Sequence, residues 1–121
     1  MTDRPKSFEA MLDAWNETDP DKIRGHLDRA LDPQVEFADP NYHIRGIDAF
    51  EEMVRGFRTQ FPDGTAKHTS GVNYHHNRYR YSWLVSIGGK PAVQGMDVTE
   101  VNDAGKIVRI DGFFGDLPAA I

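Results

Sequence analysis

An α+β fold, with about three N-terminal helices packed on a curved, mostly antiparallel sheet, is predicted by three observations. Apolar residues recur at helical period through the first half of the chain and alternate at strand period through the second. The turns between the later strands are too short to hold crossover helices, which makes those strands an antiparallel meander. Helices first and sheet afterwards place the helices together on one face. The 121 residues are enough for one core and too few for two, so the chain reads as a single domain, 1–121.

The elements follow in order. Ser7 can cap a first helix in which Phe8, Met11, Leu12 and Trp15 form one apolar stripe ending near Glu17. Thr18 or Asp19 can cap a second, with Pro20 in its first turn, Ile23, Leu27, Ala30 and Leu31 on its buried face, and Pro33 as its stop. Val35, Phe37 and Asp39 then alternate with Gln34, Glu36 and Ala38, the period of a half-buried strand. A loop from Pro40 to Gly46 leads to a third helix carrying Ile47, Phe50, Val54, Phe57 and Phe61, stopped by Pro62, Asp63 and Gly64. Four strands are expected beyond it: Thr65–His75, Arg78–Ile87, Lys90–Val101 and Lys106–Phe114.

Three helices cover only part of such a sheet, and the uncovered concavity is the expected pocket. Gly71 and Gly95, inside strands, are candidate bends or simply weak strand positions.

Composition excludes several function classes. There is no cysteine, hence no disulfide framework, thiolate metal site or cysteine nucleophile. No apolar run reaches the length of a membrane span, and Met1 to Lys6 is not followed by an apolar signal region, so a cytoplasmic protein without membrane partners is expected. Residues 1–39 hold ten acids and five bases, whereas the remainder holds nine of each, so the net charge of −5 resides in the first third. No basic run is available to displace counterions from phosphates, and nucleic acid is not an expected partner. Arg78, Tyr79, Arg80 and Tyr81 read as a strand rather than a strand-binding patch for nucleic acid.

Parity singles out the candidate chemistry. Asp97 shares its strand face with Val93, Gly95, Thr99 and Val101, so a carboxylate is set among apolar neighbours without a base at i±2. Ionised carboxylates in low dielectric are costly enough that such a group tends to keep its proton. Asp39 shares the face of Val35 and Phe37 but stands at a loop, within reach of water, and ionises more easily. Two carboxyl groups with separated acidities suit one base and one acid. Two plainer accounts stay open: Asp39, followed by Pro40, starts a turn through backbone amides, and Asp97 pairs with an arginine such as Arg80.

His43 follows Tyr42 in the loop near Asp39, where it can shuttle protons or simply sit on the surface. His75 and His76 point to opposite faces and, with His68, offer no shared metal site; neither a metal nor a cofactor is expected. Trp83 lies on an apolar strand face with Tyr79, Tyr81, Val85 and Ile87, and Trp15 and Phe57 on inward helix stripes, as core or as a pocket for a flat apolar ligand. In the last strand Val108, Ile110, Gly112 and Phe114 form the inward face, and Arg109 and Asp111 the other. Ile107 and Phe113 on that outer face suggest a surface covered in a homodimer.

In order and spacing these pieces resemble the nuclear transport factor 2-like superfamily, particularly its SnoaL-like and ketosteroid-isomerase-like members. The matching segments are Trp15 to Asp19, VEFADP from Val35 to Pro40 with Gly46 opening the third helix, Gly95-Met96-Asp97, and AGKIVRIDGFFG from Ala104 to Gly115. The resemblance covers nearly the whole chain and implies a cone-shaped fold enclosing a pocket. It also implies Asp39 as a base beside a carbonyl and Asp97 as a protonated donor to the resulting enolate. The helix-one tyrosine of the isomerases is replaced by Met11, so half of that oxyanion hole is missing, and loss of one such donor typically costs about 10²–10³ in rate.

The fold also serves polyketide cyclases, epoxide hydrolases and dehydratases. The hydrolase arrangement of Asp, Arg and Asp lacks its last member here, because Asp111 points outward; a dehydratase would need His43 with Asp39. The expected activity is therefore proton transfer or isomerisation of an apolar carbonyl compound, catalysed by Asp39 and Asp97 with His43 as a further candidate. Met11, Trp15, Tyr42, Phe57, Trp83, Ile110 and Phe114 would hold the small apolar molecule. A non-catalytic ligand-binding or dimerisation module, and a dehydratase or polyketide cyclase, are the alternatives.

Overall fold

The computed structural model describes residues 4–121; residues 1–3 of the opening segment lie outside the described residues. Helix α1 spans Lys6–Asn16 and starts two residues earlier than a Ser7 cap would allow. Pro5 holds the cap position at φ −60°, and its carbonyl accepts the Phe8 N–H at 3.0 Å. Ser7 is consequently inside the helix, its buried hydroxyl unpartnered. Helix α2 (Pro20–Ala30) opens as its sequence predicts: the Asp19 carboxylate accepts from the Asp21 N–H at 3.0 Å and Pro20 stands at the first position, where no amide donor is needed.

Leu31 and Pro33 belong not to α2 but to strand β1 (Leu31–Ala38), where Pro33 falls in a stretch of shifted register between Leu31 and Glu36. Lacking an N–H, proline fits such an interruption of the ladder. The loop that follows contains a short strand, β2 (His43–Arg45), before α3 (Ile47–Gln60), entered through Gly46 at φ +90°.

The expected strand from Thr65 to His75 is two strands, β3 (Gly64–His68) and β4 (Asn73–His75), both paired antiparallel to β5 (Arg78–Ile87). Strands β6 (Lys90–Val101) and β7 (Ile107–Phe114) complete the meander, and the order is β2-β1-β7-β6-β5-β3. One pairing is parallel: β7 returns beside β1, because α3, between β1 and the meander, carries the chain across the sheet. The sheet is thus mixed, open at both edges, and bent where the register shifts in β1, between Val85 and Ser86, and between Glu100 and Val101.

The last of these shifts corrects the expected face of Ile107. Glu100 pairs with Arg109 but Val101 pairs with Ile107, so Val108 is an extra residue that reverses parity below it. Ile107 is fully buried in the core together with Ile110, and it does not contribute to an outer apolar patch. That outer face carries the paired residues Met96 and Phe113, the latter 61% exposed. Gly71 lies in the break between β3 and β4 with open space around it, not in a strand. No helix among the described residues is long and apolar enough to cross a membrane.

Candidate functional site

Beyond the close-packed core, the inner face of the sheet opens into a cavity of about 380 Å³ between α1, α3 and strands β1, β3, β5, β6 and β7. Met11 and Trp15 project into it from α1, and Phe57 from α3. Trp83 and Phe114 do so from the sheet, and Tyr42 stands exposed at its mouth. Edge-on ring contacts, Trp15 to Phe57 at 5.5 Å and Trp83 to Phe114 at 5.6 Å, hold these walls apart as flat apolar surfaces.

Asp39 and Asp97 both line this cavity. Gly112 lies between them: a methyl group on it would stand 2.9 Å from Asp97 Oδ1 and 3.3 Å from Asp39 Cβ. The two acids therefore flank a residue of β7 whose side chain is a hydrogen atom. Asp39 also makes the turn that its sequence allows, Oδ1 accepting the amides of Asn41 and Tyr42, each at 2.8 Å. Both amides use Oδ1, which leaves Oδ2 for a ligand.

Asp97 is enclosed by protein except where it meets the cavity, and this enclosure, reinforced by the nearby charge of Asp39, pushes its carboxyl up to about 7. Trp83 Nε1 donates to Oδ1 at 2.9 Å and, with the Tyr81 hydroxyl, limits the rise. Arg80 is not its partner, being bonded to Asn73 instead. Gly95 explains how the indole reaches the acid: a Cβ there would come within 2.6 Å of the Trp83 ring and 2.0 Å of the Phe113 carbonyl. Glycine at 95 is thus a clearance for the donor, a role that strand periodicity does not reveal.

Two sequence candidates stand elsewhere. His43 pairs across β2 and β1 with Ala38, which puts it on the Glu36 face and opposite to Phe37 and Asp39. Its ring is exposed, with Nε2 2.8 Å from Glu36 Oε2, away from the cavity. Ile110 is sealed in the core and does not line the cavity. Conversely, the cavity contains His68, whose Nδ1 lies 2.8 Å from Arg4 Nη1 and whose ring is 4.4 Å from that of Tyr81. Parity alone could place His68 on the same face as Ala66, but the contact with Arg4 joins residues far apart in sequence.

A second cleft of equal volume lies beside Glu17, Arg55 and Arg58. Its guanidinium groups are engaged: Arg58 donates to the carbonyls of Trp15, Pro62 and Gly64, and Arg55 to Glu51. Among the described residues there is no group of three or more His, Asp or Glu placed to hold a metal.

Helices on the concave face of an open, bent sheet, around an apolar cavity with two carboxylates at its inner wall, define a cone-shaped α+β domain of the nuclear transport factor 2-like superfamily. The sequence matches the SnoaL-like domain over residues 8–110, and the chain belongs to that family. A SnoaL-like family protein from Agrobacterium tumefaciens, provisionally described as an isomerase, is similar at 27% identity and a TM-score of 0.83, covering 92% of this chain and 96% of that one. A protein of unknown function from Exiguobacterium is similar in fold at 20% identity and a TM-score of 0.74, covering 92% and 99%. So is a protein from Sinorhizobium meliloti provisionally described as a polyketide cyclase, at 16% and 0.70, covering 89% and 94%. No curated protein matches the chain.

Proposed function

We propose that the cavity binds an apolar carbonyl compound and transfers a proton at the carbon next to the carbonyl, with Asp39 as base and protonated Asp97 as hydrogen-bond donor. The observation that carries this reading is the pair of acids that flank Gly112 on one cavity wall, Asp97 enclosed and Asp39 in the turn that follows β1. Asp39 Oδ2 takes the α-proton, and the C–H electron pair moves into the carbonyl to give an enolate. The enolate oxygen accepts from the Asp97 hydroxyl. Trp83 N–H is a donor only, so it remains on Oδ1 in either state, and the proton of Asp97 sits on Oδ2. Returning the proton to a different carbon gives isomerisation; attack of the enolate on a second carbonyl would give cyclisation instead. The family assignment supports a small-molecule site of this kind and leaves the reaction open.

The test uses 4-phenylcyclohexanone, an apolar ketone with exchangeable α-protons, in deuterated buffer followed by proton NMR. Wild-type protein should accelerate exchange above buffer, and Asp39→Asn should reduce that acceleration by about 10²-fold or more while binding the ketone as before. Equal exchange by wild type and Asp39→Asn removes Asp39 as the base. Binding with no acceleration by either protein points to the non-catalytic ligand-binding module.

A further inference from the structure

Among the described residues, His68 is the one interior polar group of the cavity that the carboxylate chemistry leaves unused. Asn41 and Gln60 also border the cavity, but both are exposed at its mouth. A guanidinium can only donate, so the 2.8 Å contact from Arg4 requires Nδ1 of His68 to be the acceptor. The ring hydrogen of the neutral imidazole is then on Nε2. Nε2 has no hydrogen-bond partner among the described residues and is not one of the buried unpartnered atoms, so it opens on accessible space. Arg4 is itself held by an ion pair to Glu9, and Tyr81 backs the ring from the core side. Burial, with the adjacent Arg4 charge, lowers the imidazole to about 4 and keeps it neutral.

The position of His68 gives its use. It pairs with Trp83 on β5, and Trp83 pairs with Gly95 on β6, the strand of Asp97. Two strand spacings, roughly 10 Å, separate β3 from β6. We propose that His68, oriented by Arg4, is a recognition group that donates through Nε2–H to a second oxygen of the ligand, so that this site takes apolar ketones bearing a hydroxyl or carbonyl at the end remote from the reacting carbonyl. The assignment rests on the reading in which the reacting carbonyl lies at Asp97, and it supplies a donor two strands away on the same inner face of the sheet. His68 has no part in the proton transfer itself.

The experiment compares 4-phenylcyclohexanone with 4-(4-hydroxyphenyl)cyclohexanone, whose ketone and phenol oxygens are about two strand spacings apart. Binding is followed by quenching of Trp15 and Trp83 fluorescence. Wild-type protein should bind the hydroxylated ketone more tightly. His68→Phe keeps a ring against Tyr81 but has no donor, and should erase that preference, a loss of about 3–10-fold confined to the hydroxylated probe. Equal weakening of both probes, or an unchanged preference, overturns the assignment.

A ligand-free measurement is independent of how His68→Phe folds. Nitrogen-15 NMR of labelled wild-type protein should show the Nε2–H tautomer at neutral pH, and Arg4→Met should raise the pH at which the ring takes its second proton. An Nδ1–H tautomer or an imidazolium at pH 7 overturns the proposal. The α-exchange of 4-phenylcyclohexanone separates the two readings: loss of exchange in Asp39→Asn with no probe preference at His68 defeats the recognition role alone. A His68-dependent preference with exchange unaltered by Asp39→Asn defeats the base alone.

Discussion

The two ends of the cone are built from the same residue types and behave differently. At the closed end Phe8, Ile23, Leu27, Phe50, Ile107 and Ile110 are at most 1% exposed, and all three helices contribute to the packing. At the open end only α1 and α3 face the sheet; α2 supplies Ile23, Leu27 and Ala30 to the core and nothing to the cavity. The missing third helix is what leaves about 380 Å³ unfilled. The boundary is polar. Tyr81 and Thr99 bond to each other at 2.8 Å at the edge of the core, and Asp97, directly across from Tyr81, is the first group that turns toward the cavity. A side chain's size therefore does not decide whether it seals or lines. The presence of a helix above it does.

Truncation should expose that contrast most strongly. Phe50→Ala removes a ring packed against Phe37 and Trp15 and is expected to cost about 3–5 kcal/mol, whereas Phe114→Ala, at the cavity rim, should cost under about 1 kcal/mol, both by urea unfolding. Comparable losses at the two positions would mean that the open end is packed like the closed one.

Next in size is the pH dependence of the boundary acid. The folded-state value of Asp97, about 7, lies above its unfolded value near 3.8, so the protonated form favours folding and the ionised form opposes it. Its contribution is intact below pH 4 and is lost as the pH rises through 7, by up to about 4 kcal/mol. Asp97→Asn does not titrate, so its stability relative to wild type should improve between pH 4 and 7 and then level off. A difference that stays flat across this range would place Asp97 in a far wetter setting.

The smallest effect belongs to the closed end. Ser7 buries a hydroxyl that has no partner, and Ser7→Ala should leave stability unchanged or raise it by up to about 1 kcal/mol; a clear loss in thermal unfolding would reveal a bond to that hydroxyl.

Much of this was readable in the sequence where a local rule had no competitor. Asp19 and Pro20 start α2 because capping and proline's fixed φ act within one turn. Strands β5 and β6 run from Arg78 to Ile87 and from Lys90 to Val101, as their alternation and the Gly88-Gly89 turn predict. The same alternation puts Asp97 on the inner face, and alternation in β1 does so for Asp39.

Local rules failed where a partner elsewhere overrode them. Ile107 changed faces because one extra residue in β7 shifts the register against β6, and His43 turned outward because β2 pairs with β1 in the phase of Glu36. By itself the sequence determined the helices, most strands and the inward side of both acids, since period and caps depend on residues a few positions apart. Only the tertiary structure decided that the two acids flank Gly112, that Gly95 admits the Trp83 indole, and that Arg4 reaches His68. Those are contacts between distant segments, fixed by register and by the space left when side chains are absent, and periodicity carries no information about either.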